Sequence, residues 1–388
     1  MARAALPVDG TKFSRIVEIR DLLLTKSNPM RLESGQPDFD TPDHIKEAAV
    51  AALRAGKTGY APSSGVAEFK QAVVQKMLSH NGLATDTDYL IAVQGGMHGL
   101  FVTLSAVAAP GERILLANPT WGATRNIVIA VGAIPVFVDM GYDETDGFTL
   151  SPKDIAKAIE AHKPVAFVLN NPHNPTGAVI PDDTLEEIVH VCAERGVHLI
   201  GDEAYEDIYY ASAKPKLAAT IHQQLKLRSP VTSVFTFSKS YSMTGWRLGY
   251  VVTNDETTIT RLKKLVLYSA NGINTFIQYA GAVALTGPQD CTATFREGYR
   301  KRRDLLVEGV NASKAFTCVA PKGAFYLHAR VENGMTGEEM ARLLVEKHEL
   351  GTVPGGFFNA RGEDGFIRWA YCCSEEMVRR ASELMATL

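Results

Sequence analysis

From about residue 44 to residue 283, short apolar runs rich in β-branched and aromatic residues alternate with longer stretches whose apolar positions recur at helical spacing. The runs are Tyr89–Gln94, Arg113–Ala117, Ile134–Val138, Val165–Leu169, Val197–Ile200, Val231–Phe237 and Leu248–Val252, each followed by turn residues or a change of period. Between them, segments such as Pro152–Ala161 and Asp182–Arg195 open with Ser, Asp or Pro start signals and predict helices that pack on the sheet faces. The pattern therefore predicts an α/β fold around a mostly parallel, seven-stranded sheet. In such sheets ligands bind beyond the carboxyl ends of the strands, and here those ends are where the polar residues stand.

After about residue 284 the pattern changes to a long charged helix (Glu297–Asn311), strands near Ala324–Val331 and Gly365–Tyr371, and helices near Thr336–His348 and Ser374–Thr387. This reads as a smaller α+β unit. A helix at Ile16–Leu24 and an extended piece at Arg31–Gly35 are too short to fold alone and are expected to join it. The expected organisation is an N-terminal arm (1–13), a small domain built from 14–43 with 284–388, and a large domain (44–283). No internal repeat or low-complexity tract is present.

Composition narrows the partners without naming one. Of 388 residues, 46% are hydrophobic and 21% charged, ordinary values for a globular chain. Forty basic and 43 acidic residues are spread along the sequence for a net charge of −3, so no basic face points to nucleic acid or a membrane, and a small-molecule partner is expected. The first residues lack an apolar core for a signal peptide, and no run approaches the about 20 apolar residues of a membrane span, so the expected location is the cytoplasm. Five cysteines (Cys192, Cys291, Cys318, Cys372, Cys373), odd in number and without CxxC spacing, indicate buried thiols rather than disulfides or zinc. The lone sequon at Asn311-Ala-Ser313 then carries no meaning.

Chemistry concentrates at three strand ends. After Val231–Phe237 comes Ser238-Lys239-Ser-Tyr-Ser-Met243-Thr244-Gly245-Trp246-Arg247. A lysine at the exposed end of a buried strand can form an imine with an aldehyde, and an arginine a short loop away can clamp a dianionic phosphate. An aldehyde that also carries a phosphate suggests pyridoxal 5′-phosphate. The run Asn170-Asn-Pro-His-Asn174-Pro175-Thr176-Gly177 follows a second strand and holds an amide at the tip of a rigid turn. A third strand ends in Gly201-Asp202-Glu203-Ala-Tyr205; taken alone, Asp202 equally suits a cap for the next helix. Gln94-Gly95-Gly96-Met97 lies between a strand and an apolar helix, where backbone N–H groups can receive phosphate. In Phe366-Ile367-Arg368-Trp369 a single arginine sits amid apolar residues, which is costly unless it meets an anion, whether a ligand or a structural ion-pair partner.

Taken in order, Asn-Pro-His-Asn-Pro-Thr-Gly, Asp-Glu-x-Tyr and Ser-Lys-x-x-x-Met-Thr-Gly-Trp-Arg-x-Gly-Tyr resemble the class I/II aminotransferases of the fold type I pyridoxal-phosphate enzymes. The resemblance runs from Gly35 to Arg368. It implies that Lys239 forms the imine with the cofactor and moves protons, that Asp202 pairs with the ring nitrogen, and that Asn174 and Tyr205 hydrogen-bond the ring's phenolic oxygen. It further implies that Arg247, the Gly95–Gly96–Met97 turn, Thr236 and Ser238 hold the phosphate, and that Trp121 stacks on the ring, although Trp121 also suits ordinary core. Arg368 would clamp the substrate carboxylate, with Gly35 closing over it through its backbone. Tyr60, in Gly59-Tyr60-Ala-Pro-Ser-Ser-Gly65, looks like the family's loop that crosses a homodimer interface to the neighbouring phosphate site.

The chain departs from aspartate-selective members at Met97, where those commonly carry lysine or a hydroxyl residue, and at Thr124, where many carry a second aromatic. A thioether cannot pair with a side-chain carboxylate. The expected reaction is therefore amino transfer through a two-step cycle between an apolar, amphipathic or aromatic amino acid and 2-oxoglutarate or pyruvate. His98 is expected on the helix surface, and Phe325 and Tyr326 either line the pocket or belong to the core. The rivals are a carbon–sulfur lyase using the same cofactor and, outside enzymes, an effector-sensing domain.

Overall fold

The computed structural model describes residues 5–362 and 365–388; the first four residues of the expected N-terminal arm, and Glu363 and Asp364, lie outside the described residues. All seven predicted runs are strands of one sheet: β1 (Leu90–Val93), β2 (Arg113–Asn118), β3 (Ile134–Asp139), β4 (Ala166–Asn170), β5 (His198–Asp202), β6 (Val231–Thr236) and β7 (Gly249–Thr253). Their order across the sheet is β1-β7-β6-β5-β4-β2-β3. Only β7 runs against its neighbours; the pairs β6/β5, β5/β4, β4/β2 and β2/β3 are parallel.

Apart from the half-exposed edge strand β3, the strands are covered on both faces, and the two-residue period deals alternate side chains to opposite cores. Ala92, Leu115, Phe167, Leu199 and Phe235 face helices Asp43–Arg54, Ala67–Asn81, Pro152–His162, Asp182–Glu194 and Thr275–Thr286. Their neighbours Ile91, Ile114, Val168, Ile200 and Val234 face helices Gly95–Val107, Gly122–Ala130 and Glu256–Ala270. The carboxyl ends of β2, β4, β5 and β6 carry Asn118, Asn170, Asp202 and Thr236, so the polar residues gather along one rim.

A further core unites Met30 and Leu32 with Phe295, Tyr299, Phe316, Phe325, Leu327, Trp369 and Val378, and also draws in Tyr205 and Ile208 from the turn after β5. Its sheet runs Phe316–Thr317, Tyr326–Val331, Phe366–Ala370, Val353–Pro354, with every neighbouring pair antiparallel. Met30–Arg31 pairs in parallel with Leu350–Gly351, which ties the early extended segment to the C-terminal part. The long charged helix begins earlier than the pattern suggested, at Asp290, and runs to Ala312. Near the N-terminus, Lys12 exchanges hydrogen bonds with the Asn126 side chain, so this segment lies against helix Gly122–Ala130.

One glycine fixes how closely a site-forming helix meets the sheet. A β-carbon on Gly99 would lie 2.6 Å from Val234 Cγ1, so helix Gly95–Val107 sits against β6 and β7 at a distance only glycine allows. Gly99→Ala is expected to cost about 1–3 kcal/mol through overpacking, read as a lowered thermal unfolding midpoint.

Candidate active site

The polar rim opens into a cavity of about 310 Å³. Of the residues that the resemblance assigns to cofactor or substrate, Gly35, Gly96, Met97, Trp121, Asn174, Asp202, Tyr205, Thr236, Ser238, Lys239, Arg247 and Arg368 all line it. Two do not. Gly95 lies just behind, and Tyr60 is 91% exposed beside Asn271 and Gly272, outside the cavity.

Lys239 stands on the single turn Phe237–Ser240, which the Thr236 hydroxyl opens by accepting from Ser238 N at 3.2 Å. Its Nζ donates to Gly35 O at 2.7 Å and lies 5.7 Å from the Phe325 ring. Burial, reinforced by the Arg247 and Arg368 guanidiniums, pulls the ammonium down to about 8 from the usual 10.5. An amine with that proton affinity is neutral often enough near pH 8 to attack a carbonyl carbon and to exchange protons.

Asp202 ends β5 and is 5% exposed. Its carboxylate does not cap a helix: a long contact from Ala204 N, 3.4 Å to Oδ1, is its hydrogen bond among the described residues. Burial raises it to about 6 from 3.8, so a cationic ring nitrogen placed before it would be stabilised by recovering the ion-pair energy that burial withholds. Asn170 Nδ2 donates to Asp202 O at 2.9 Å, while its Oδ1 accepts from Asn174 N at 2.8 Å, so one side chain binds the ends of two loops together.

Asn174 and Tyr205 meet at 3.4 Å, amide to phenol, and Tyr205 Oη lies 2.9 Å from Tyr326 Oη. Burial, and the Tyr326 hydroxyl beside it, hold the Tyr205 phenol well above its ordinary value, so it is a neutral hydrogen-bonding group across the accessible range. Tyr326 thus belongs to the pocket, and Phe325 to the core beneath it.

Arg368 is 1% exposed. Its Nη1 donates to Asn174 Oδ1 at 3.1 Å and its Nη2 to Glu33 O at 2.7 Å, and the guanidinium lies between the rings of Tyr326 (4.4 Å) and Phe358 (4.7 Å). Among the described residues its Nε has no hydrogen-bond partner. Among the described residues no carboxylate pairs with it, so the structural ion-pair alternative is not what holds this charge. Gly35 has no room for a side chain, since a β-carbon there would lie 2.1 Å from Tyr326 Oη.

The second cation, Arg247, is held in the left-handed region at φ 53° and crosses Gly95, whose β-carbon would come within 3.0 Å of Nη2. That conformation is uncommon for a side-chain-bearing residue and concentrates at functional sites. Nη1 donates to Thr244 O at 2.8 Å, leaving the outer edge of the guanidinium free among the described residues. Helix Gly95–Val107 points its N-terminus here with no side-chain cap on its first N–H groups. A guanidinium, an uncapped helix end and the hydroxyls of Thr236 and Ser238 form a cradle for a phosphate-sized dianion.

The pocket also contains Ile16, Ser34, Leu100, Asn170 and Thr244, which the motifs did not single out. His98 is a helix residue, as expected; its Nδ1 accepts from Gln94 N at 3.1 Å and its Nε2 lies 3.0 Å from Ser269 Oγ.

A cavity at a strand rim, holding a lysine of lowered proton affinity, a buried aspartate and two arginines without an ion-pair partner among the described residues, suits an enzyme that works on a phosphorylated aldehyde cofactor and a carboxylate substrate. The chain belongs to the aminotransferase class I and II family, whose sequence model matches residues 27–384. It is an aminotransferase that depends on pyridoxal 5′-phosphate, with the fold type I architecture. A probable aspartate/prephenate aminotransferase of Aquifex aeolicus is 36% identical over 88% of this chain and 86% of its own. An aromatic-amino-acid aminotransferase of Thermococcus litoralis is 33% identical over 96% and 94%. The solved structure of the Thermus thermophilus aspartate aminotransferase with maleate aligns at a TM-score of 0.91 and 32% identity, covering 100% of both chains. These matches favour neither the lyase nor the effector-sensing alternative.

Competitive acetylation of the cofactor-free protein, followed residue by residue, is expected to show Lys239 half-reactive near pH 8, well below the exposed lysines at about 10.4. Asp202→Asn removes a charge that holds the proton on, so the midpoint should fall further.

Proposed function

We propose that the chain transfers the amino group of an L-amino acid with an apolar, amphipathic or aromatic side chain to 2-oxoglutarate or pyruvate. The observation that carries this reading is the cavity wall. Its cations are Lys239, Arg247 and Arg368, each assigned by this reading to cofactor or α-carboxylate, and Ile16, Met97, Leu100 and Trp121 form an apolar part of the rest of the wall. A side-chain carboxylate entering there meets a thioether and aliphatic carbon rather than a cation.

The donor set fits the cofactor. Lys239 would hold it covalently, Arg247 with the Gly95, Gly96 and Met97 N–H groups and the Thr236 and Ser238 hydroxyls would hold its phosphate, Asp202 its ring nitrogen, and Asn174 and Tyr205 its phenolic oxygen, with Trp121 against its face. Bound, pyridoxal 5′-phosphate supplies the electron sink that makes the α-proton of an amino acid removable. Arg368 then orients the substrate by its carboxylate, two parallel N–H donors to two oxygens, while the Gly35 backbone closes beside it. Lys239, once the substrate amine takes its place, would hold and move the α-proton at its Nζ. Residues 14–43 and 284–388 act as the smaller unit that carries Arg368 toward 44–283. The working form is a cytoplasmic homodimer in which Tyr60 reaches the phosphate site of the neighbouring subunit, in keeping with its exposure here.

A second reading, an acidic amino donor, is favoured by the relatives named for aspartate and prephenate. A panel of amino acids followed by half-reaction spectra separates the two, and strict aspartate selectivity would refute the apolar reading. Met97→Lys is expected to raise kcat/KM for aspartate about tenfold relative to phenylalanine. Arg368→Lys should raise the amino-acid KM about a hundredfold while leaving the cofactor Kd nearly unchanged; equal losses would refute its assignment. Inactive Tyr60→Ala and Lys239→Ala chains, mixed as hybrid dimers, should regain activity if Tyr60 serves the opposite subunit, and should stay inactive if it serves its own.

A further inference from the structure

The turn that follows β5 has two faces. Asp202 and Tyr205 line the cavity, whereas Glu203, Glu206 and Asp207 are buried on the other side, 4%, 8% and 4% exposed. There Lys76 of helix Ala67–Asn81 brings Nζ to 2.5 Å from Glu206 Oε1. Lys214 Nζ lies 3.2 Å from Glu206 Oε2 and 3.5 Å from Asp207 Oδ1. Asn81 Nδ2 donates to Glu206 Oε2 and His80 Nε2 sits against Asp207 Oδ1, both at 2.7 Å. The Lys76 ammonium also lies 4.7 Å from the Phe235 ring, on the strand that ends at Thr236 and leads into Lys239. Glu203 tucks its carboxyl into the space left by Gly201, where a β-carbon would lie 2.1 Å from Oε1, and accepts from Ser233 Oγ at 3.3 Å.

One buried and one half-buried ammonium, Lys76 and Lys214, thus hold a six-residue stretch from behind, and its backbone is stiffened by Glu206 N to Glu203 O (3.2 Å) and Ile208 N to Tyr205 O (2.9 Å). Stability alone does not account for such a network, because well-packed apolar residues often serve a core equally well. Charge pairs differ from apolar contacts in direction: they fix where a backbone sits, and with it the side chains on the opposite face. We propose that Lys76 and Glu206 are positioning residues for amino-group transfer, clamping this turn so that Asp202 and Tyr205 present their oxygens to the cofactor at a fixed depth. This rests on the reading that Asp202 and Tyr205 contact the cofactor ring.

The test uses the holoenzyme and the double variant Lys76→Met/Glu206→Leu, which removes both charges with little change in volume. The thermal midpoint should stay close to the parent's, kcat should fall about ten- to a hundredfold, the amino-acid KM should change less than about threefold, and the pH midpoint of the bound cofactor's visible absorbance should shift. A folded double variant with the parent's kcat and absorbance midpoint overturns the proposal. Should the double variant fail to fold, Lys76→Arg, which keeps the charge but moves the donor, decides by the same two readouts. Asp202→Asn is measured alongside. If it leaves the absorbance midpoint unmoved, the reading of Asp202 is at fault and the proposal falls with it; if it moves the midpoint and the double variant does not, only the clamp is refuted.

Discussion

Arg368 is a guanidinium taken almost wholly out of water, and among the described residues no carboxylate stands within ion-pair distance of it. Its two terminal nitrogens end on an amide oxygen and a backbone carbonyl, which orient the group without cancelling its charge. Tyr326 and Phe358 sandwich it and exclude solvent. An uncompensated buried charge is expensive in the absence of an anion and strongly attractive in its presence. The surrounding construction follows from that requirement: a glycine at 35 because Tyr326 leaves no room for a side chain, and Asn174 shared between the guanidinium and the Tyr205 phenol. The same burial lowers the proton affinity of Lys239 and raises that of Asp202, so one dry cavity prepares a nucleophile and an ion-pair acceptor together.

The sheet makes this cavity possible by geometry rather than by composition. Because β6, β5, β4 and β2 run parallel, their carboxyl ends bring Thr236, Asp202, Asn170 and Asn118 to one rim, although they are spread over more than a hundred positions of sequence. Helix Gly95–Val107 directs its free N–H groups to the same rim. The two arginines of the cavity therefore stand apart, Arg247 with the helix end at the sheet and Arg368 on the strand Phe366–Ala370 of the other sheet, which under the proposed function gives phosphate and carboxylate separate places. A substrate that also bonds to the cofactor bridges the two.

The fold was legible because the seven strands are short runs rich in apolar and β-branched residues, a pattern that local sequence displays directly. The cofactor half of the site was legible for a related reason: its residues fall in short runs at strand ends, so that Ser-Lys-x-x-x-Met-Thr-Gly-Trp-Arg and Asp-Glu-x-Tyr carry their spacing with them. Boundaries were less visible, as with the helix that begins at Asp290 rather than near Glu297, because a charged first turn looks like loop until its packing is known. Ile16 and the Lys76–Glu206 pair were invisible. Ile16 reaches the pocket from a helix remote in sequence, and Lys76 reads as one more surface lysine until the fold places it 5% exposed against a glutamate 130 residues away.

The two-faced turn after β5 has a consequence for how this chain can vary. From Asp202 to Asp207, successive side chains are assigned by position to the cavity or to an ionic core, and the assignment depends on counting residues from the strand end. Gain or loss of a single residue there would carry carboxylates from the ionic core toward the cavity and draw Asp202 or Tyr205 away from it. Side chains in this stretch can be exchanged for others of like chemistry, but its length cannot drift, and related chains should align through it without gaps.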